Sequence, residues 1–180
     1  MLFKIPRPPI KKDHFDFVTS SRIPFILPIQ TIGGVPMTQR QFYNPELDQT
    51  GLYTEVWQTE RIQVKDIQDL VVTKHYWQDA AGELWADFDD PMENVHRSFD
   101  TYRKRKGYLT PNQIRQLRED LHLTVRQMAT ALGIAPSSLT QIENNQRIQA
   151  PYQEKLFLAA RDAYQATGQL PPSWQSQQLN

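Results

Sequence analysis

The sequence predicts an α+β protein. It has a small β-rich N-terminal domain over residues 1–90, a linker helix over 91–108, an all-α C-terminal domain over 109–166 and a flexible tail over 167–180. Three observations predict this. Pro6, Pro8, Pro9, Pro24, Pro28 and Pro36 crowd the start of the chain, where helices are therefore excluded. The apolar period changes from two to three-and-four at Asp90. From that point capping-box patterns recur, at Asp90-Pro91-Met92-Glu93, Thr110-Pro111-Asn112-Gln113 and Thr124-Val125-Arg126-Gln127.

The opening residues, MLFKIPRPPIKK, read as an extended arm. FILPI at 25–29, LYTEVWQTERIQV at 52–64 and LVVTKHYW at 70–77 read as strands. In the second run Tyr53, Glu55 and Trp57 alternate with Thr54, Val56 and Gln58. Asp79 to Gly82 is a turn signal, and GELWAD suits a returning strand. Trp57, Val64, Val72, Tyr76 and Trp85 are the expected core, with Tyr43, Tyr53 and Trp77 as further aromatics for the core or for a partner surface. A unit of this size can fold on apolar packing without a metal.

In the linker helix Met92, Val95, Phe99 and Tyr102 form one apolar stripe that should end at Gly107. The preceding run, Arg103-Lys104-Arg105-Lys106, either complements the helix dipole or meets phosphate. Ile114, Leu117 and Leu121 then face inward on one helix, and Met128, Ala129 and Leu132 on the next. Gly133 suits a left-handed helix end, and Pro136 the first turn of a helix that buries Leu139 and Ile142. A last helix over about 151–166 turns Leu156, Ala159, Ala160 and Ala163 inward. The stretch GQLPPSWQSQQLN lacks a period, with Trp174 its one candidate to dock.

Composition narrows the function. The chain has 180 residues, 39% of them hydrophobic and 22% charged, ordinary values for a soluble globular protein. No apolar run reaches the ~20 residues of a membrane-spanning helix, and the N-terminus lacks a signal-peptide core, so a cytoplasmic protein is expected. Zero cysteines exclude disulfides, thiolate zinc sites and cysteine nucleophiles. Residues 1–90 carry nine Lys and Arg against thirteen Asp and Glu, whereas residues 91–180 carry eleven against seven. A basic second half suits a polyanion.

Two short helices joined by a tight glycine turn make a helix-turn-helix unit, which on geometry alone can be structural. The residues go further. Arg118 before Leu121-His122-Leu123-Thr124, the run Gln127-Met128-Ala129 with Leu132-Gly133, and Leu139-Thr140-Gln141-Ile142-Glu143-Asn144 resemble the XRE (lambda-repressor-like) helix-turn-helix family over roughly 109–166. The resemblance implies a structural ion pair between Arg118 and Glu143. It implies that Pro136, Ser137, Ser138 and Gln141 face base edges in the major groove, where Gln can bond adenine N6 and N7 together. Thr124, Arg126 and Gln127 would meet phosphate at a helix N-terminus, and Asn144, Asn145 and Arg147 would grip the backbone from the other side. Val125 departs from the family, many members of which have Gln there and gain a phosphate contact. The expected partner is double-stranded DNA, a pseudo-palindromic operator bound by a homodimer.

A second resemblance lies upstream. Gly82-Glu83, Asp89-Asp90, Tyr102-Arg103-Lys104 and Leu109-Thr110-Pro111 are similar to the junction in MqsA/YgiT-type antitoxins, where a zinc module ends in Cys-x-x-Cys-Gly-Glu. Here Gln78 and Ala81 stand at the cysteine positions, and neither replaces a thiolate. The resemblance implies an antitoxin-like autorepressor with a cognate toxin. His14, His75, His96 and His122 show no paired ligand spacing, so no metal and no cofactor are expected. Asp87, Asp89 and Asp90 read as the acidic first turn of the following helix, or as ligands of a hard cation. Without a phosphate loop, a nucleophile elbow or a carboxylate pair in an apolar setting, no catalytic residues and no enzyme activity are expected. The rival readings are a single-component repressor whose N-terminal domain senses a ligand or supports dimerisation, and an interaction module with a vestigial helix-turn-helix.

Overall fold

The strand-forming runs pair as an antiparallel meander, and the period-3.6 segments as helices. A computed structural model describes residues 38–175; the N-terminal arm, the run at 25–29 and His14 lie outside the described residues. The sheet has the order β1 (Gln39–Asn44), β2 (Gln49–Val64), β3 (Ile67–Gln78) and β4 (Leu84–Trp85). Among the described residues six helices follow: α1 (Glu93–Lys106), α2 (Pro111–Asp120), α3 (Val125–Leu132), α4 (Pro136–Glu143), α5 (Pro151–Thr167) and α6 (Pro172–Gln175).

The chain divides into two compact units, residues 1–101 and 102–180. The division falls inside α1, the first turn of which bonds to the sheet. The Asn94 side chain accepts from His75 N (2.8 Å) and donates to His75 O (2.6 Å), satisfying both backbone groups of that strand residue.

In the first unit, register places Val56, Glu60 and Ile62 opposite Tyr76, Val72 and Leu70 on one face of the sheet. Val64, Leu70, Val72 and Tyr76 are buried there. The other face carries an aromatic cluster of Phe42, Tyr53, Trp77 and Trp85 with Phe88 packed on it. Phe42 stacks on Phe88 at 4.5 Å and meets Trp77 edge-on at 4.8 Å, favourable geometries for ring quadrupoles. Trp57 does not join the expected core and is 44% exposed. It lies opposite His75 and stacks on that ring at 4.5 Å, with the Arg97 guanidinium 4.6 Å from its own ring centre.

Helix α1 starts two residues later than its capping box suggests. Asp90 Oδ1 accepts from Met92 N, but Glu93 turns to His75 and Arg97, so Met92 stays in the turn and is exposed. The core of the second unit includes Ile114, Leu117, Met128, Leu132, Leu139, Ile142, Phe157 and Ala160. Ala159 is exposed; the buried stripe of α5 is Gln153, Glu154, Phe157 and Ala160, because polar contacts of Glu154 at the start of the helix set its rotation. The flexible-tail reading of 167–180 changes for its first part. Gly168 ends α5 in the left-handed region (φ 72°), Leu170 is buried in the core, and Trp174 on α6 packs against it.

Candidate nucleic-acid interface

Helices α3 and α4 are eight residues each, too short to be stable alone, so caps and packing must hold them. Thr124 Oγ1 accepts from Gln127 N (3.2 Å), and Gln127 Oε1 accepts from Thr124 N (2.9 Å). Both side chains are exposed, as is Arg126 between them. Gly133 then turns the chain at φ 65°, and Ile134 N donates back to Ala129 O at 2.9 Å. Pro136 opens α4 without a side-chain cap from Ala135. On this helix Pro136, Ser137 and Gln141 are exposed and Ser138 is half-buried, while Leu139 and Ile142 are wholly buried on the opposite side.

The far end of α4 is clamped by α2. Arg118 donates from Nε to Glu143 Oε1 (2.8 Å) and from Nη2 to Glu143 Oε2 (2.9 Å), a bidentate pair. A third donor, Nη1, reaches Leu123 O at 3.2 Å. The hydrogen bonds to Glu143 outweigh burial and raise the Arg118 pKa above its ordinary value. Arg115 Nη2 donates to Glu143 O (2.6 Å) and Asn144 Oδ1 (2.9 Å). Two arginines of one helix therefore fix the angle at which the other presents its exposed face.

Beyond α4 the chain is held by Arg103, which is 1% exposed. Its guanidinium donates to Asn145 Oδ1, to Arg147 O (2.7 Å) and to Gln149 Oε1 (2.9 Å). Gln149 in turn donates to Leu109 O and Glu154 Oε2. Arg103 lies in the last turn of α1 but is too buried to meet phosphate, whereas Lys104, Arg105 and Lys106 are exposed. Asn145 sits at φ 57°, a left-handed position that Asn tolerates, and gives its amide oxygen to Arg103 as a turn residue. Asn144 and Arg147 are exposed, and Arg147 Nη1 lies 3.3 Å from Ser138 Oγ. The structure therefore brings Ser138 and Arg147 together on one side, with Thr124, Arg126 and Gln127 grouped at the start of α3.

In the first unit, His75, Asp87 and Glu93 each bring one possible ligand atom within 4.8 Å of the others. They come from β3, the segment after β4 and the first turn of α1, so no local spacing announced them.

Residues 112–174 match the family model of a helix-turn-helix domain, of XRE type. The match extends past 166 to take in Leu170 and Trp174, the residues that close the core. It suggests a DNA-binding transcription regulator, a class that is typically non-enzymatic. No curated protein and no solved structure matches the chain. Among the described residues no helix is long and apolar enough to cross a membrane.

Proposed function

We propose that the chain is a sequence-specific transcriptional repressor that inserts α4 into the major groove. The observation that carries this reading is the exposed start of α4, which lacks a side-chain cap and has the exposed Arg147 against Ser138, on a helix locked by Arg118 and Glu143. Pro136, Ser137, Ser138 and Gln141 meet base edges. Thr124, Arg126, Gln127, Asn144 and Arg147 meet phosphate; Asn145 acts through the turn that carries Arg147. One such unit covers too little groove for high specificity, so two copies bind a pseudo-palindromic operator, with the 151–166 helix the first candidate for the dimer contact.

The finer reading is an antitoxin-like autorepressor whose first unit grips a toxin. It is supported by the junction residues from Gly82-Glu83 to Leu109-Thr110-Pro111. A repressor whose first unit senses a ligand is favoured by a different observation, the convergence of carboxylates on His75. The DNA-binding reading is tested by duplex binding of the full chain to selected and random sequences. Gln141→Ala is expected to cost ~1–3 kcal/mol and to relax preference at one operator position. Arg126→Ala should weaken all sequences about equally and flatten the salt dependence by ~0.9 in log–log slope per lost phosphate contact. Equal loss on specific and random duplexes for Gln141→Ala would show that α4 is not the reading helix.

A further inference from the structure

The environment of His75 is unusual for a structural histidine. The residue is 7% exposed. Its Nδ1 lies 2.7 Å from Glu93 Oε2 and 4.0 Å from Asp87 Oδ2. Its Nε2 is buried without a hydrogen-bond partner and faces Glu55 Oε1 at 3.4 Å. Three carboxylates thus surround one imidazole, and the Arg97 guanidinium is committed to the other Glu93 oxygen, Oε1, at 2.7 and 2.9 Å.

A neutral ring that donates Nδ1–H to Glu93 leaves a buried Nε2 lone pair opposite a carboxylate, an arrangement that costs free energy. An ion on Nδ1 removes the conflict. It moves the ring hydrogen to Nε2, which then turns a proton instead of a lone pair toward the Glu55 carboxylate 3.4 Å away, and this carboxylate–histidine–metal order is how metal-bound imidazoles are usually oriented. The remaining ligands are already held. Asp87 Oδ2 accepts from Trp77 Nε1 (2.8 Å), and its Oδ1 accepts from the backbone N–H groups of Asp89 and Asp90. The ring is fixed by Trp57 stacked at 4.5 Å and by the two Asn94 bonds to its backbone.

We infer that His75, Asp87 and Glu93 form a site for one divalent first-row transition-metal ion, with Glu55 as the carboxylate behind the histidine. One imidazole nitrogen and two carboxylate oxygens leave a fourth position open, and the mixed donor set suits zinc, iron or manganese better than the all-oxygen cations. The aromatic cluster holds the sheet without the ion, which instead ties β3, the segment after β4 and the start of α1 to one point. All four residues belong to the first unit, and the inference does not depend on the DNA-binding reading.

The experiment strips the full chain with a chelator, confirms by near-ultraviolet circular dichroism that it stays folded, and titrates it with Zn2+ alone in a calorimeter. One equivalent should bind. Glu93→Gln and Asp87→Asn, which keep side-chain shape, should each weaken it at least tenfold, and Glu55→Gln roughly tenfold. His96→Gln should leave it unchanged. Nitrogen NMR of the His75 ring should show Nδ1 losing its proton when Zn2+ is added. No binding, or binding equal in all these variants, would overturn the site. So would a ring that carries protons on both nitrogens and keeps them in the presence of Zn2+, since the carboxylates would then be balancing an imidazolium.

Discussion

Glu143→Ala should unfold the second unit at a markedly lower temperature. Glu143 is 5% exposed and takes both arms of the Arg118 guanidinium, whose side chain is 13% exposed. Truncation strands that cation with Leu123 O at 3.2 Å and a long contact of 3.5 Å to the more exposed Glu119. Removing one partner of a buried pair costs about 3–5 kcal/mol. The residual contacts and partial exposure of Arg118 place this case at the lower end, about 3 kcal/mol. At roughly 4–8 °C per kcal/mol for a unit this small, the midpoint should drop by about 12–24 °C. Calorimetry of the full chain measures it, with the transition of the first unit as an internal control that stays fixed. Replacing both partners with apolar residues of similar volume, Arg118→Met with Glu143→Leu, should recover most of the loss, because no charge is then left unpaired. A drop of less than about 3 °C for Glu143→Ala would refute the argument.

Three further outcomes are expected. Gly133→Ala should cost about 1–2 kcal/mol although an added Cβ would meet nothing within 4 Å, because φ 65° is itself strained for an L-residue; urea midpoints measure it. In the first unit the carboxyls of Asp79, Asp87 and Glu93 titrate lower folded than unfolded, so their stabilisation is present above the ordinary values of 3.8 and 4.5 and is lost as pH falls through the depressed ones. Acid titration followed by Trp77 and Trp85 fluorescence should therefore show unfolding as pH falls, shifted in Asp87→Asn. Sedimentation on an operator-length duplex should show two copies per duplex, and a lone bound copy would count against the proposed dimer.

The second unit was the more legible half, for physical reasons. Caps and glycine ends are local: Thr110, Thr124 and Gly133 state their roles within four residues, and the helices begin and end beside them. The rotation of α5 was not legible. Three alanines on one side looked like an inner face, but only Ala160 is fully buried, and Phe157 and the bond from Leu109 N to Glu154 centre the buried stripe so that Ala159 is exposed. Residues brought together across long separations were hidden for the same reason. Trp57 reads as core by alternation, and only the pairing register shows it opposite His75. His75, Asp87 and Glu93 carry no spacing signal, since three separate segments must converge before they meet. Arg103 hid inside a cationic run whose other members are exposed.

The burial of Arg103 bears on how this architecture can be cut and recombined. The matched span begins at residue 112, yet the loop carrying Arg147 is tied by a side chain nine residues earlier. A fragment starting at 109 would keep every helix of the helix-turn-helix but would leave Gln149 and Asn145 facing a vacated interior. The inheritable module is therefore longer than its motif. A splice that joins this reading head to a foreign sensor must carry the last turns of α1 with it, so a graft made upstream of Tyr102 keeps its grip and one made at Leu109 does not.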